Sequence, residues 1–170
     1  GKIYAGYLDN NKDGKIDDAL VLKKMIESKA VLGMTKDQNE TDLLDFSTLS
    51  NAGYQVQDLN GEETIQNASS INKFDATLEE VLHLITDYGY GLAYPEAFAS
   101  NEFQGSFSLK NSSLLTDAMD IARGGKFLTI PSAYPSSAWY TFYDDTADYT
   151  TQASEYFYWG LTSILGAQSF

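Results

Sequence analysis

"ATLEEVLHLITDYGY", residues 76–90, reads as a helix over 77–88 closed by Gly89, and it holds the chain's one histidine, His83. Residues four apart on a helix share a face, so Glu79 and His83 can point at one cation. Glu80 lies about 100° round the axis from Glu79. A plainer reading of the same letters is a capping box, with Thr77 as cap and Glu80 reaching back to its amide. First-turn glutamates also favour the positive end of a helix without any metal. His83, between Leu82 and Leu84, can equally be a packed core histidine. A metal here needs a third ligand, and the candidate is Glu155 in "SEYFYWGL" on the final helix.

Outward from this helix, 3–8 reads as extended and runs into a polar loop over 9–17. A helix over 18–28 follows, with Leu22, Met25, Ile26 and Ala30 as its apolar stripe, and 31–34 either continues it or forms a short strand. A second helix is expected over 41–52, with Leu44, Leu49 and Ala52 apolar and Gly53 as its stop. Residues 54–59 alternate weakly, as a strand does, and 60–73 is a loop. "GYGLAYPEAF" reads as a glycine-rich turn. A helix over 113–123 turns Leu114, Leu115, Ala118, Met119 and Ala122 inward before Gly124 and Gly125. The stretch 131–148 is aromatic and irregular, and a last helix covers 151–165. The expected class is α+β, mainly helical with a small sheet, in a single domain over 1–170.

Composition narrows the chemistry. The chain has 170 residues, is 43% hydrophobic and 14% aromatic, and carries a net charge of −13, with a pI near 4.2. That length and apolar content bury a core and exclude a disordered segment. The negative charge argues against nucleic acid and anionic membranes as partners, and suits divalent cations, cationic substrates or a salty medium. No apolar run reaches a membrane span, so a soluble chain is expected. Gly1 opens without a charged and apolar leader, which implies a removed targeting segment or a start inside a longer precursor.

There is no cysteine, which removes disulfides, thiolate metal sites and cysteine nucleophiles. A single histidine excludes any site needing two imidazoles. No G-x-S-x-G supplies a nucleophilic serine. "RGGK" at 123–126 lacks the phosphate-loop spacing and reads as a helix stop. If there is catalysis, oxygen ligands and carboxylates must do most of it.

"DNNKDGKIDD", within residues 9–18, places Asp9, Asn11 and Asp13 at positions one, three and five of a calcium loop. Gly14 takes the turn, Lys15 offers its carbonyl and Asp17 stands at nine. It resembles EF-hand and dockerin loops, with a helix after it and none evident before it. Leu20 stands where those loops place a bidentate glutamate, which predicts weaker binding of Ca2+. The alternative is a polar turn held by side-chain to backbone hydrogen bonds, with a helix cap.

"EEVLH" with "SEYFYW" resembles the two metal-bearing helices of the zincin metallopeptidases, in the branch whose third ligand is glutamate. The resemblance covers two short stretches, with glutamate where the first histidine of H-E-x-x-H stands. It implies a zincin-like fold, a Zn2+ site of Glu79, His83 and Glu155, Glu80 as general base, and a peptide or protein substrate. A Glu-His-Glu shell holds zinc less selectively than two histidines do. The expected function is a peptidase-like metal-dependent hydrolase that also binds calcium, secreted or periplasmic in a bacterium. The competing reading is a calcium-stabilised binding or scaffold domain without turnover. In the tract 134–149 a tyrosine hydroxyl can stabilise an oxyanion, with Tyr143 and Tyr149 as candidates, and its aspartates can attract a cationic substrate. The simpler role of that tract is an aromatic core edge with solvated aspartates.

Overall fold

A computed structural model of the chain describes residues 1–66, 68–71, 73–104 and 112–168. It is a mainly helical α+β structure with one two-stranded parallel sheet. The chain divides into two compact units, Gly1–Gly89 and Tyr90–Ser169.

The first unit begins with a helix, α1 (Lys2–Leu8), where the sequence suggested an extended segment. Ile3, Tyr4 and Tyr7 favour strands, but tertiary contacts override that preference. On a helix Tyr4, Tyr7 and Leu8 fall on one face, whereas on a strand Tyr4 and Tyr7 would point to opposite sides. The Tyr4 hydroxyl reaches Met25 Sδ at 3.6 Å, the Tyr7 hydroxyl donates to the Leu78 carbonyl at 3.0 Å, and Leu8 is buried.

Helix α2 (Ala19–Glu27) is started by Asp18, whose Oδ1 accepts from the backbone N–H groups of Leu20 at 2.9 Å and Val21 at 3.1 Å. Its inward face is Val21 and Met25. Ile26, expected inward, is exposed, because one residue past Met25 is a third of a turn away.

Residues 31–34 belong to a strand, β1 (Ala30–Thr35), which pairs in parallel with β2 (Gln55–Asn60), Val31 facing Val56 and Met34 facing Leu59. Parallel neighbours need a crossover, and two short helices lie within it, α3 (Gln38–Asp42) and α4 (Phe46–Asn51). The single helix expected over 41–52 is thus broken. Asp45 acts as a second N-cap, taking the Ser47 amide at 3.1 Å and the Thr48 hydroxyl at 2.7 Å, so a helix starts there rather than continuing. Leu44 and Leu49 are consequently exposed. Gly53, at φ +83°, ends α4 as its position predicts.

In the tract expected as loop, a 3-10 turn spans Ala68–Ile71, while Asn67 and Asn72 lie outside the described residues. Helix α5 (Thr77–Ile85) then packs on β2 and α1 with Val81, Leu82, Leu84 and Ile85 buried. The expected helix runs on past α5 as a π-helical turn, Thr86–Tyr90. Gly89 sits in that turn because there is no room for a side chain. A Cβ there would lie 2.8 Å from Val21 Cγ1 and 3.1 Å from Met25 Cγ.

In the second unit, the stretch read as a glycine-rich turn is largely helical. The short helices α6 (Gly91–Ala93) and α7 (Pro95–Phe98) follow the π-turn. Helix α8 (Leu114–Ala122) opens with a reciprocal capping box, the Thr116 amide donating to Ser113 Oγ at 3.2 Å and the Ser113 amide to Thr116 Oγ1 at 2.9 Å. Leu115, Met119 and Ala122 are buried as expected, but Leu114 is 71% exposed. Helix α9 (Tyr149–Ile164) is capped by Asp148, which accepts from the Thr151 amide at 2.8 Å. Ala99, Leu115, Met119, Tyr149 and Ala153 form the centre of this unit's core.

Arg123, at the end of α8, is fully buried. Its guanidinium donates to Asp120 at 2.8 Å and to the Gln152 side-chain oxygen, and it lies over the rings of Phe127 and Tyr149. A buried cation requires such pairing. "RGGK" is the helix stop it was read as, with Gly124 at φ +75°. Residues 131–148 contain no helix or strand. Among the described residues no helix is long and apolar enough to cross a membrane.

Candidate metal centre

The start of α5 differs from the capping box read in its sequence. Its N-cap position is Ala76, which makes no side-chain cap bond, and Asp75 Oδ1 takes the Thr77 amide at 2.9 Å and the Thr77 hydroxyl at 2.5 Å. With Thr77 engaged by Asp75, Glu80 is released from the helix end. Its Oε2 accepts instead from Gln57 Nε2 of β2 at 2.5 Å and lies 3.7 Å from His83 Nδ1. Glu80 is therefore aimed along the helix at the imidazole, and a strand residue holds it there.

Glu79 and His83 stand one turn apart on α5, and both are buried, with exposures of 9% and 6%. Acidic side chains are almost never that buried without a charged or hydrogen-bonding partner. The packed-histidine reading explains the burial of His83 among Leu82, Leu84 and Ile85.

Glu155 lies in the second unit, half-buried near the middle of α9. Its Oε2 accepts from the Trp159 indole N–H at 3.1 Å, one turn further along the helix. The i, i+4 relation holds this carboxylate in one rotamer. Nearby, the Tyr140 hydroxyl is buried with no hydrogen-bond partner among the described residues. Burial first, and the Glu155 charge second, push its pKa well above the ordinary phenol value.

The tyrosines named from sequence stand differently. Tyr149 donates to Asp120 Oδ2 at 2.8 Å, and burial together with that bond raises its pKa. Tyr143 is 68% exposed. Tyr140 was missed, and nothing in the local pattern separates it from the tyrosines around it, since its distinction comes first from burial and then from Glu155 fifteen residues later.

The acidic loop lies between two helices, α1 and α2, where only the second was expected. Asp9 accepts from the Asp13 amide at 3.1 Å and the Gly14 amide at 2.9 Å. Asn11 Oδ1 also accepts from the Asp13 amide, at 2.9 Å, and Asp13 Oδ1 accepts from the Lys15 amide at 2.9 Å. Asp17 Oδ2 takes both the backbone and side-chain N–H groups of Asn10, at 2.7 and 3.0 Å. Gly14 adopts φ +81°, the left-handed turn its place in the loop demands. These bonds are those of a polar turn.

In comparisons with known proteins, no family model, no curated protein and no solved structure matches the chain.

Proposed function

We propose that Glu79 and His83, one turn apart on α5, offer a divalent ion a carboxylate oxygen and an imidazole nitrogen, with Glu155 as the third ligand that the zincin resemblance implies, and that the chain is a metal-dependent hydrolase of amide bonds. The observation that carries this reading is the joint burial of a glutamate and the only histidine one turn apart on α5. The donor set suits zinc or a harder divalent metal. An ion there supplies Lewis acidity toward a water and a substrate carbonyl. Glu80 is the proton acceptor at its carboxylate, and the Gln57 amide keeps that carboxylate from rotating away. Trp159 holds Glu155 for binding in the same way.

Elemental analysis of protein purified without added metal is the first test. One equivalent of a transition metal, lost in His83→Ala and in Glu155→Gln, supports the reading, and its absence from the wild type after exposure to zinc removes it. Turnover is tested on a peptide library with Glu80→Gln, which should lower the rate by about 10²-fold or more if Glu80 is the base. Equal rates would remove Glu80 from that role.

A second reading draws on the acidic loop. Its position between two helices, with the Gly14 N–H bound to Asp9 and Gly14 left-handed, favours a calcium-stabilised binding or scaffold domain. Asp9, Asn11, Asp13 and Asp17 supply side-chain oxygens and Lys15 its carbonyl. A melting temperature that calcium raises in the wild type but not in Asp13→Ala supports it, and one unmoved by calcium or chelator rejects it.

A further inference from the structure

Within the second unit, Tyr140, Thr141, Phe142, Tyr143 and Trp159 line a hollow of about 440 Å³, large enough for a long side chain. Four of its five residues are aromatic, and the stretch that carries most of them is braced. The Tyr134 hydroxyl donates to the Phe142 carbonyl at 2.7 Å, its ring meets Tyr143 edge-on at 5.5 Å, and Tyr140 packs against Tyr156 at 5.1 Å. One carboxylate contacts a ring of the hollow, and two more follow the aromatic stretch in sequence. Trp159 is bonded to the Glu155 carboxylate, and Asp144 and Asp145 directly follow Tyr143. The Thr146 hydroxyl and amide both donate to Asp144 and keep its pKa below the usual carboxylate value.

We propose that this hollow binds a cationic head group, a guanidinium or an alkylammonium such as an arginine or lysine side chain presents on a peptide. Aromatic faces attract cations through their quadrupole, and adjacent carboxylates add to the attraction. The same unit already seats its own cations this way, with Lys126 Nζ 5.2 Å from the centre of the Tyr149 ring and Arg123 5.7 Å from that of Phe127. The net charge of −13 draws cations toward the whole surface, and the rings give one place where they gain more than screening. An anion would be repelled here. A neutral chain of equal size would gain only contact area. The hollow adjoins Glu155, a proposed metal ligand, and a hydrolase with this subsite would favour substrates bearing basic side chains.

The test is calorimetric titration with Nα-acetyl-arginine amide against the uncharged isostere Nα-acetyl-citrulline amide. It is run on wild type and on His83→Ala, so that a bound metal does not enter the result. The arginine compound should bind at least about fivefold more tightly, the ratio that roughly 1 kcal/mol of cation–π attraction provides. Tyr143→Leu should remove most of that preference and Tyr143→Phe, which keeps the ring, should retain it. Since Tyr143 is exposed, neither change disturbs the core. Equal affinities, no binding of either compound, or an unchanged preference in Tyr143→Leu would overturn the proposal. Loss of the metal reading would appear instead as absent zinc with this preference intact.

Discussion

The proposed centre makes thermal stability depend on metal, and the size of the effect follows from linkage. Glu79 and His83 are already out of water in the fold, so an ion meets ligands whose desolvation was met on folding. Its binding free energy then appears as stability of the folded state. With free zinc at a hundred times its dissociation constant, linkage gives about 2.7 kcal/mol. For a chain of this length that raises the melting temperature by roughly 5–10 °C. The assay is a melting curve in zinc-buffered solution, with each variant compared against its own chelated form so that side-chain truncation cancels. In His83→Ala the shift should fall below about 2 °C. Glu155→Gln should do the same, because loss of one of three ligands weakens the site whichever helix carries it. Two results refute the reasoning: a wild-type melting temperature unmoved by zinc up to millimolar, or a His83→Ala shift as large as the wild type's.

Three further outcomes are expected. Gly89→Ala forces a methyl group against Val21 and Met25, and should destabilise by about 1–3 kcal/mol in a denaturant melt; a neutral result would mean the turn does not approach α2 so closely. Asp18→Ala removes the cap of α2 and should cost about 1 kcal/mol, read as a lower urea midpoint with unchanged slope. Tyr140 has a folded pKa above its ordinary value of 10.0, so its neutral form is favoured in the fold and its contribution is complete below pH 10. It is lost as pH rises from there toward the folded value, because the unfolded chain ionises first. Melting temperatures from pH 9 to 12 should decline, and Tyr140→Phe should lessen the decline while leaving neutral-pH stability equal or higher, since the hydroxyl it removes has no partner.

What could be read from the letters alone was local. The stops at Gly53 and Gly124 act within a turn of themselves, and the structure keeps them. The shared face of Glu79 and His83 is of the same kind, because helical periodicity alone places it. Even local reasoning failed where two signals competed. Asp45 began a new helix inside the one expected over 41–52, and Asp75 took Thr77 away from the capping box. Segment 3–8 has the composition of a strand, and only contacts with Met25 and Leu78 make it a helix.

Everything that makes the candidate site more than a spacing came from tertiary structure. The burial of Glu79 and His83, the grip of Gln57 on Glu80 across twenty-three residues, and the isolation of the Tyr140 hydroxyl depend on neighbours far away in sequence. The sheet's parallel register is likewise set by pairing across a crossover. A helix closes its hydrogen bonds within one turn and so announces itself in a short window. Burial and side-chain orientation are properties of surfaces that meet only once the chain has packed, and no short window contains both.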